Sequence, residues 1–155
     1  MRVLVTGGSG DLGRHVVSRL RAANIDVRVG ARTPRTRGEV AYDLTDVDVT
    51  RRAVADVGAI VHLASQPTRR TADVEGMRIL RSAAASAGVD HLLFVSIVGI
   101  DDHPFAYYRA KRTAEQILAD GDVPWTVARA TQSTASWAAS PTASQSSGSF
   151  PCPVA

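Results

Sequence analysis

Tyr107 and Lys111 stand four residues apart, a spacing that puts both side chains on one face of a helix. An ammonium beside a phenol favours the ionised phenol, which suits a tyrosine acting as general acid or base near neutral pH. Of the 18 basic residues, 17 are Arg, so Lys111 is the sole lysine of the chain. Ser96, at the end of the apolar run before Tyr107, is the candidate to orient a substrate carbonyl. A second constellation lies at the N-terminus, where Gly7-x-x-Gly10-x-x-Gly13 follows the apolar run Val3-Leu4-Val5 and precedes Val16 and Leu20 at helical spacing. Glycines let a backbone approach a pyrophosphate, and the N–H groups of a helix start, here at Asp11, Leu12 and Gly13, bind it. The two constellations predict a dinucleotide site with a proton donor beside it.

In a fold that binds NAD, an acidic residue about 20 positions after the glycines accepts hydrogen bonds from the ribose hydroxyls. Arg32 occupies that place here. A guanidinium cannot accept those bonds but pairs with a 2′-phosphate, and Arg14 is placed to assist, so NADP is expected over NAD. Asp43 and Leu44 are candidates to face the adenine, Asp43 by its carboxylate and Leu44 on the ring face. A helix-capping turn is the alternative for Asp43, because Thr45 and Asp46 are good caps. Ala64 and Ser65, small residues after the fourth apolar run, are expected beneath the nicotinamide ribose.

These residues need a scaffold that brings them to one edge. Strands are predicted at Val3–Val5, Val27–Ala31, Val40–Tyr42, Ala59–Ala64, His91–Ile97 and Trp125–Arg129, separated by helices that begin near Leu12 and run about 49–57, 74–87 and 107–120. Gly88 reads as the stop of the third helix. Such alternation predicts a doubly wound parallel sheet in an α/β/α sandwich, with ligands bound beyond the carboxyl ends of the strands.

With 155 residues, 45% hydrophobic and 21% charged, the chain fits one soluble domain, and no apolar run is long enough for a signal peptide or membrane span. A cytoplasmic location is expected. The single cysteine permits no internal disulfide, and the four histidines show no ligand spacing, so no metal site is predicted. His103, between Ser96 and Tyr107, is a candidate to line a substrate pocket. A net charge of +3 comes from arginines spread along every segment, not from a basic stripe with interleaved aromatics, which argues against nucleic acid. Residues 131–155 hold seven Ser, five Ala, three Thr and three Pro and no charged side chain. They read as a disordered tail to a folded domain of residues 1–130.

Taken together, Thr6–Gly13, Val27–Arg32, Asp43-Leu44, Val61–Ser65, Asp73-Val74-Glu75-Gly76, Phe94–Gly99, Tyr107–Lys111 and Trp125–Arg129 resemble the atypical short-chain dehydrogenase/reductase proteins of the NAD(P)H-binding, NmrA-like kind. The resemblance spans residues 1 to about 132. It implies a Rossmann fold, NAD(P) binding, and a reductase, epimerase-like or redox-sensing role. It further implies catalysis through Tyr107, with Lys111 contacting the nicotinamide ribose and lowering the tyrosine pKa. Family members continue into a smaller substrate-binding lobe where this chain has its uncharged tail, so a truncation or shifted reading frame is expected there. Three readings follow: an NADPH-dependent oxidoreductase acting on a carbonyl or quinone-like substrate, an NADP-sensing regulator without turnover, or a remnant holding only the cofactor half. The substrate and the oligomeric state, a homo-oligomer included, are left open by the sequence.

Overall fold

Val3, Leu4 and Val5 are all buried, as befits a strand at the centre of a sheet covered on both faces. A computed structural model describes residues 1–66, 69, 71–101 and 104–131. The elements run β1 (Arg2–Thr6), α1 (Asp11–Ala22), β2 (Asp26–Ala31), β3 (Glu39–Ala41), α2 (Val47–Val54), β4 (Ala59–His62), α3 (Ala72–Ser86), β5 (His91–Ile97), α4 (Ala106–Ala119) and β6 (Trp125–Ala130). All strand pairings are parallel, in the order β3-β2-β1-β4-β5-β6. The chain therefore starts in mid-sheet, builds outward to β3, and returns to build the other half from β4.

Period-two alternation within the strands divides the core. Val3, Val5, Val27 and Val29 face α1 through Val17, while Leu4, Ile60, Leu92 and Phe94 face α2, α3 and α4 through Val54, Met77, Leu80, Ala114 and Leu118. Helices on both faces of a parallel sheet are the α/β/α sandwich expected from the sequence. The reversal of strand order between β1 and β4 opens the crevice in which such sheets bind ligands.

Local chemistry sets where elements stop. The ladder of β4 ends at His62, two residues before the apolar run does, because Thr6 diverts the chain: its Oγ1 accepts from Leu63 N at 3.2 Å and from Ala64 N at 3.3 Å. Helix α2 begins at Val47 behind Asp46, whose side chain accepts from Val49 N at 2.9 Å. Gly88, at φ +69°, takes the left-handed turn just past α3. No helix among the described residues is long and apolar enough to cross a membrane. The uncharged segment, apart from Thr131, and His103 lie outside the described residues.

Candidate cofactor and catalytic site

The glycine turn is held against the end of β4. Gly7 has φ +67°, and a Cβ there would stand 2.8 Å from Ala64 N, so both the backbone angle and the space exclude a side chain. A Cβ on Gly13 would run into the Gly7 carbonyl and the Gly8 backbone. Gly7 and Gly10 line the resulting cleft, whereas Gly13 lets α1 pack directly beneath it. Gly10 caps α1 without a side chain, and the N–H groups of Asp11, Leu12 and Gly13 at the positive end of the helix dipole have no partner among the described residues. The Asp11 carboxylate turns to Arg14 at 2.6 Å, the Leu12 side chain is exposed, and neither residue lines the cleft.

The cleft measures about 390 Å³ and continues past Arg32, Tyr42 and Leu44 on one side and Leu63, Ala64, Ser65 and Gln66 on the other. Arg32 follows β2 directly and makes no ion pair among the described residues. Leu44 is a buried wall of the cleft. Asp43 does not line it: its Oδ1 accepts the Thr45 N–H at 2.8 Å and the Thr45 hydroxyl at 2.9 Å, and these bonds hold the carboxyl below its ordinary range. The capping turn thus occupies one oxygen of that carboxylate.

Tyr107 and Lys111, on the first turns of α4, arrive at Ser65. The Tyr107 and Ser65 hydroxyl oxygens are 3.2 Å apart. Lys111 is almost fully buried, with Nζ 4.7 Å from the centre of the Phe94 ring and 3.6 Å from Asp73 Oδ2. Burial lowers the Lys111 pKa, and the charge of Asp73 opposes that shift. Burial also raises Tyr107 above the ordinary tyrosine value, with the Ser65 hydrogen bond opposing the shift and the charge of Asp73 adding to it. A phenol lowered by its neighbouring ammonium, expected from the spacing, is not the direction found here, where burial is the largest influence on Tyr107 and the ammonium faces a carboxylate. Ser96 is buried with its hydroxyl unpartnered among the described residues, and the hydroxyl beside Tyr107 is that of Ser65.

Asp73, which the sequence offers only as part of the family resemblance and not as a site residue, joins this cluster. It accepts from Ser65 Oγ at 2.6 Å and from Gln66 N at 2.9 Å while facing Lys111. The local signal was ambiguous, since an acidic residue in the first turn of a helix already has a reason to be there.

The model of the NAD(P)H-binding family matches residues 7–148. This chain belongs to the NAD(P)H-binding family. Among curated relatives of this family member, the (4-alkanoyl-5-oxo-2,5-dihydrofuran-3-yl)methyl phosphate reductase of Streptomyces griseus subsp. griseus is 33% identical over 151 residues, covering 88% of this chain and 50% of that protein. A 4-hydroxy-2-methyl-3-oxo-4-farnesyl-3,4-dihydroquinoline-1-oxide ketoreductase of Stigmatella aurantiaca is 28% identical over 156 residues, 80% of this chain and 47% of that protein. The solved structure of a short-chain dehydrogenase/reductase superfamily protein from Agrobacterium tumefaciens with bound NAD is similar at a TM-score of 0.73 and 30% identity, over 83% of this chain and 48% of that one. The chain spans about half the length of the curated relatives it matches.

The residues of this NAD(P)H-binding chain fit a nicotinamide dinucleotide. A glycine cradle that a Cβ on Gly7 or Gly13 would obstruct, the N–H groups of a helix start, and a cleft walled by Leu44 and Leu63 meet the needs of a pyrophosphate and two ring systems.

Proposed function

We propose that this chain carries out NADPH-dependent reduction of a carbonyl or quinone-like substrate, with Tyr107 as the proton donor. The observation that carries this reading is the 3.2 Å approach of the Tyr107 hydroxyl to Ser65, a residue of the cofactor cleft. When bound, the reduced nicotinamide supplies a hydride to the carbonyl carbon. Tyr107 delivers its proton to the carbonyl oxygen, giving an alcohol. Ser65 holds the phenol in position, and Lys111 anchors the floor of the site from its seat between Asp73 and Phe94. Arg32 supports NADPH over NADH because its guanidinium, without an ion pair among the described residues, is suited to a 2′-phosphate and not to ribose hydroxyls. The two curated relatives named above are themselves reductases, one of them a ketoreductase, which supports the direction of the reaction.

A fluorescence titration of NADPH and NADH into the purified protein, followed by a panel of ketones and quinones, tests this reading. NADPH is expected to bind more tightly and to be oxidised, and Tyr107→Phe to lose at least about a hundredfold in turnover with little change in NADPH affinity. Tight binding without turnover, unchanged in Tyr107→Phe, would instead favour an NADP sensor. Binding of neither nucleotide would contradict both.

A further inference from the structure

One carboxylate joins the hydroxyl that meets Tyr107 to the Lys111 ammonium. Asp73, on the first turn of α3, is buried, accepts the Ser65 hydroxyl at 2.6 Å and faces Lys111 Nζ at 3.6 Å. Its other oxygen accepts Gln66 N–H at 2.9 Å, which fixes the loop that carries Ser65. A serine hydroxyl has a single hydrogen. With that hydrogen given to Asp73, Ser65 is left to accept from Tyr107, and the phenol needs its own proton to make the bond.

We propose that Asp73 is a positioning residue that fixes the Ser65 hydroxyl and takes up the Lys111 charge, keeping Tyr107 a neutral proton donor. The inference rests on the reading of Tyr107 as proton donor. It also changes what Lys111 does. With Asp73 across from it, the ammonium is part of a neutral pair, and its pull on the phenol is cancelled at the source.

Among the other described groups around the site, Tyr108 pushes Tyr107 in the same direction, behind Asp73. From β4, His62 is buried and held neutral, pushed down to about 3. From β5, Phe94 is apolar. Within α4, Tyr108 packs edge-on to Tyr107 at 6.1 Å between ring centres, and Glu115, which acts on Lys111, is bound to Arg129 at 2.6 Å. Asp73 is the acid that touches both Ser65 and Lys111.

The full chain labelled with ¹³C at tyrosine Cζ tests this by NMR titration, with Tyr107 assigned through Tyr107→Phe. Near pH 10, about the ordinary tyrosine value, wild-type Tyr107 is expected to remain mostly protonated. Asp73→Asn is expected to lower its midpoint by about one pH unit or more, roughly tenfold in acidity. The pair Asp73→Asn/Lys111→Gln, which strands no buried charge, is expected to return the midpoint to within about half a unit of wild type. An Asp73→Asn midpoint that stays or rises in a protein with native circular dichroism would overturn the proposal. So would a double variant whose phenol rises by about a unit, the result if Lys111 acted on Tyr107 uncancelled. Should Asp73→Asn fail to fold, the double variant decides alone. The titration uses no substrate, so it stands apart from the turnover of wild type and Tyr107→Phe that tests the reductase reading.

Discussion

Asp73 Oδ2 and Lys111 Nζ face each other at 3.6 Å between α3 and α4, each side chain 5% exposed. Removing one member of such a pair strands the other without water, at a typical cost of ~3–5 kcal/mol. Asp73→Ala is therefore expected to lose stability on that scale in urea denaturation, and Asp73→Ala/Lys111→Met to lose clearly less. A single variant as stable as the double would mean that the pair carries no mutual dependence.

Arg32 is expected to decide between the two nicotinamide dinucleotides. In Arg32→Asp the 2′-phosphate loses its cation and meets an anion, while ribose hydroxyls gain an acceptor. NADPH affinity should fall by at least about tenfold and NADH affinity should rise. Fluorescence titrations of both nucleotides check this, and an unchanged NADPH preference would remove Arg32 from the site.

Gly13 tests whether the cradle needs close backbone packing or only glycine flexibility. Its φ is ordinary, but a Cβ would meet the Gly7 carbonyl and the Gly8 backbone, neither of which can swing aside as a side chain would. Gly13→Ala is expected to cost about 1–3 kcal/mol by overpacking and to weaken nucleotide binding more than tenfold. Thermal melts with and without NADPH measure both effects.

His62 gives the fold a defined acid sensitivity. Burial first, and the charge of Lys111 second, push the ring from 6.5 down to about 3. Between those values the unfolded chain binds a proton that the folded chain refuses, so this contribution is complete above pH 6.5 and is lost progressively as the pH falls towards 3. Urea melts between about pH 7 and about pH 4 should show stability falling with acid, and His62→Asn, whose amide does not titrate, should show a shallower fall. Equal slopes in the two proteins would contradict this.

Much of the scaffold was legible because β1, β4 and β5 appear as apolar runs, β1 buried on both faces and the other two buried on one face and half-buried on the other. The glycine turn was legible for a related reason: Gly7 and Gly13 sit where any side chain collides with backbone, and only one residue type satisfies that. Side-chain roles at the catalytic end were harder to read. Ser96 and Ser65 both follow apolar runs, but Ser96 shares the face of Phe94, turned inward under the helices, while Ser65 lies beyond the end of its ladder and is free to reach Tyr107. Asp73 and Lys111 are far apart in the chain, and only the packing of α3 on α4 makes them partners. Asp43 shows the opposite case, in which the local capping chemistry of Thr45 was visible in the sequence and claims one of its oxygens.

The most direct test of the central claim follows the hydride itself. NADPH deuterated at the transferable position of the nicotinamide is incubated with the chain and a ketone substrate, and the alcohol product is examined by mass spectrometry. One deuterium per alcohol is expected with the wild-type protein, and at least about a hundredfold less labelled product with Tyr107→Phe at equal NADPH occupancy. A wild-type chain that holds NADPH tightly yet transfers no deuterium to any ketone and oxidises NADPH with no quinone would contradict the reductase reading.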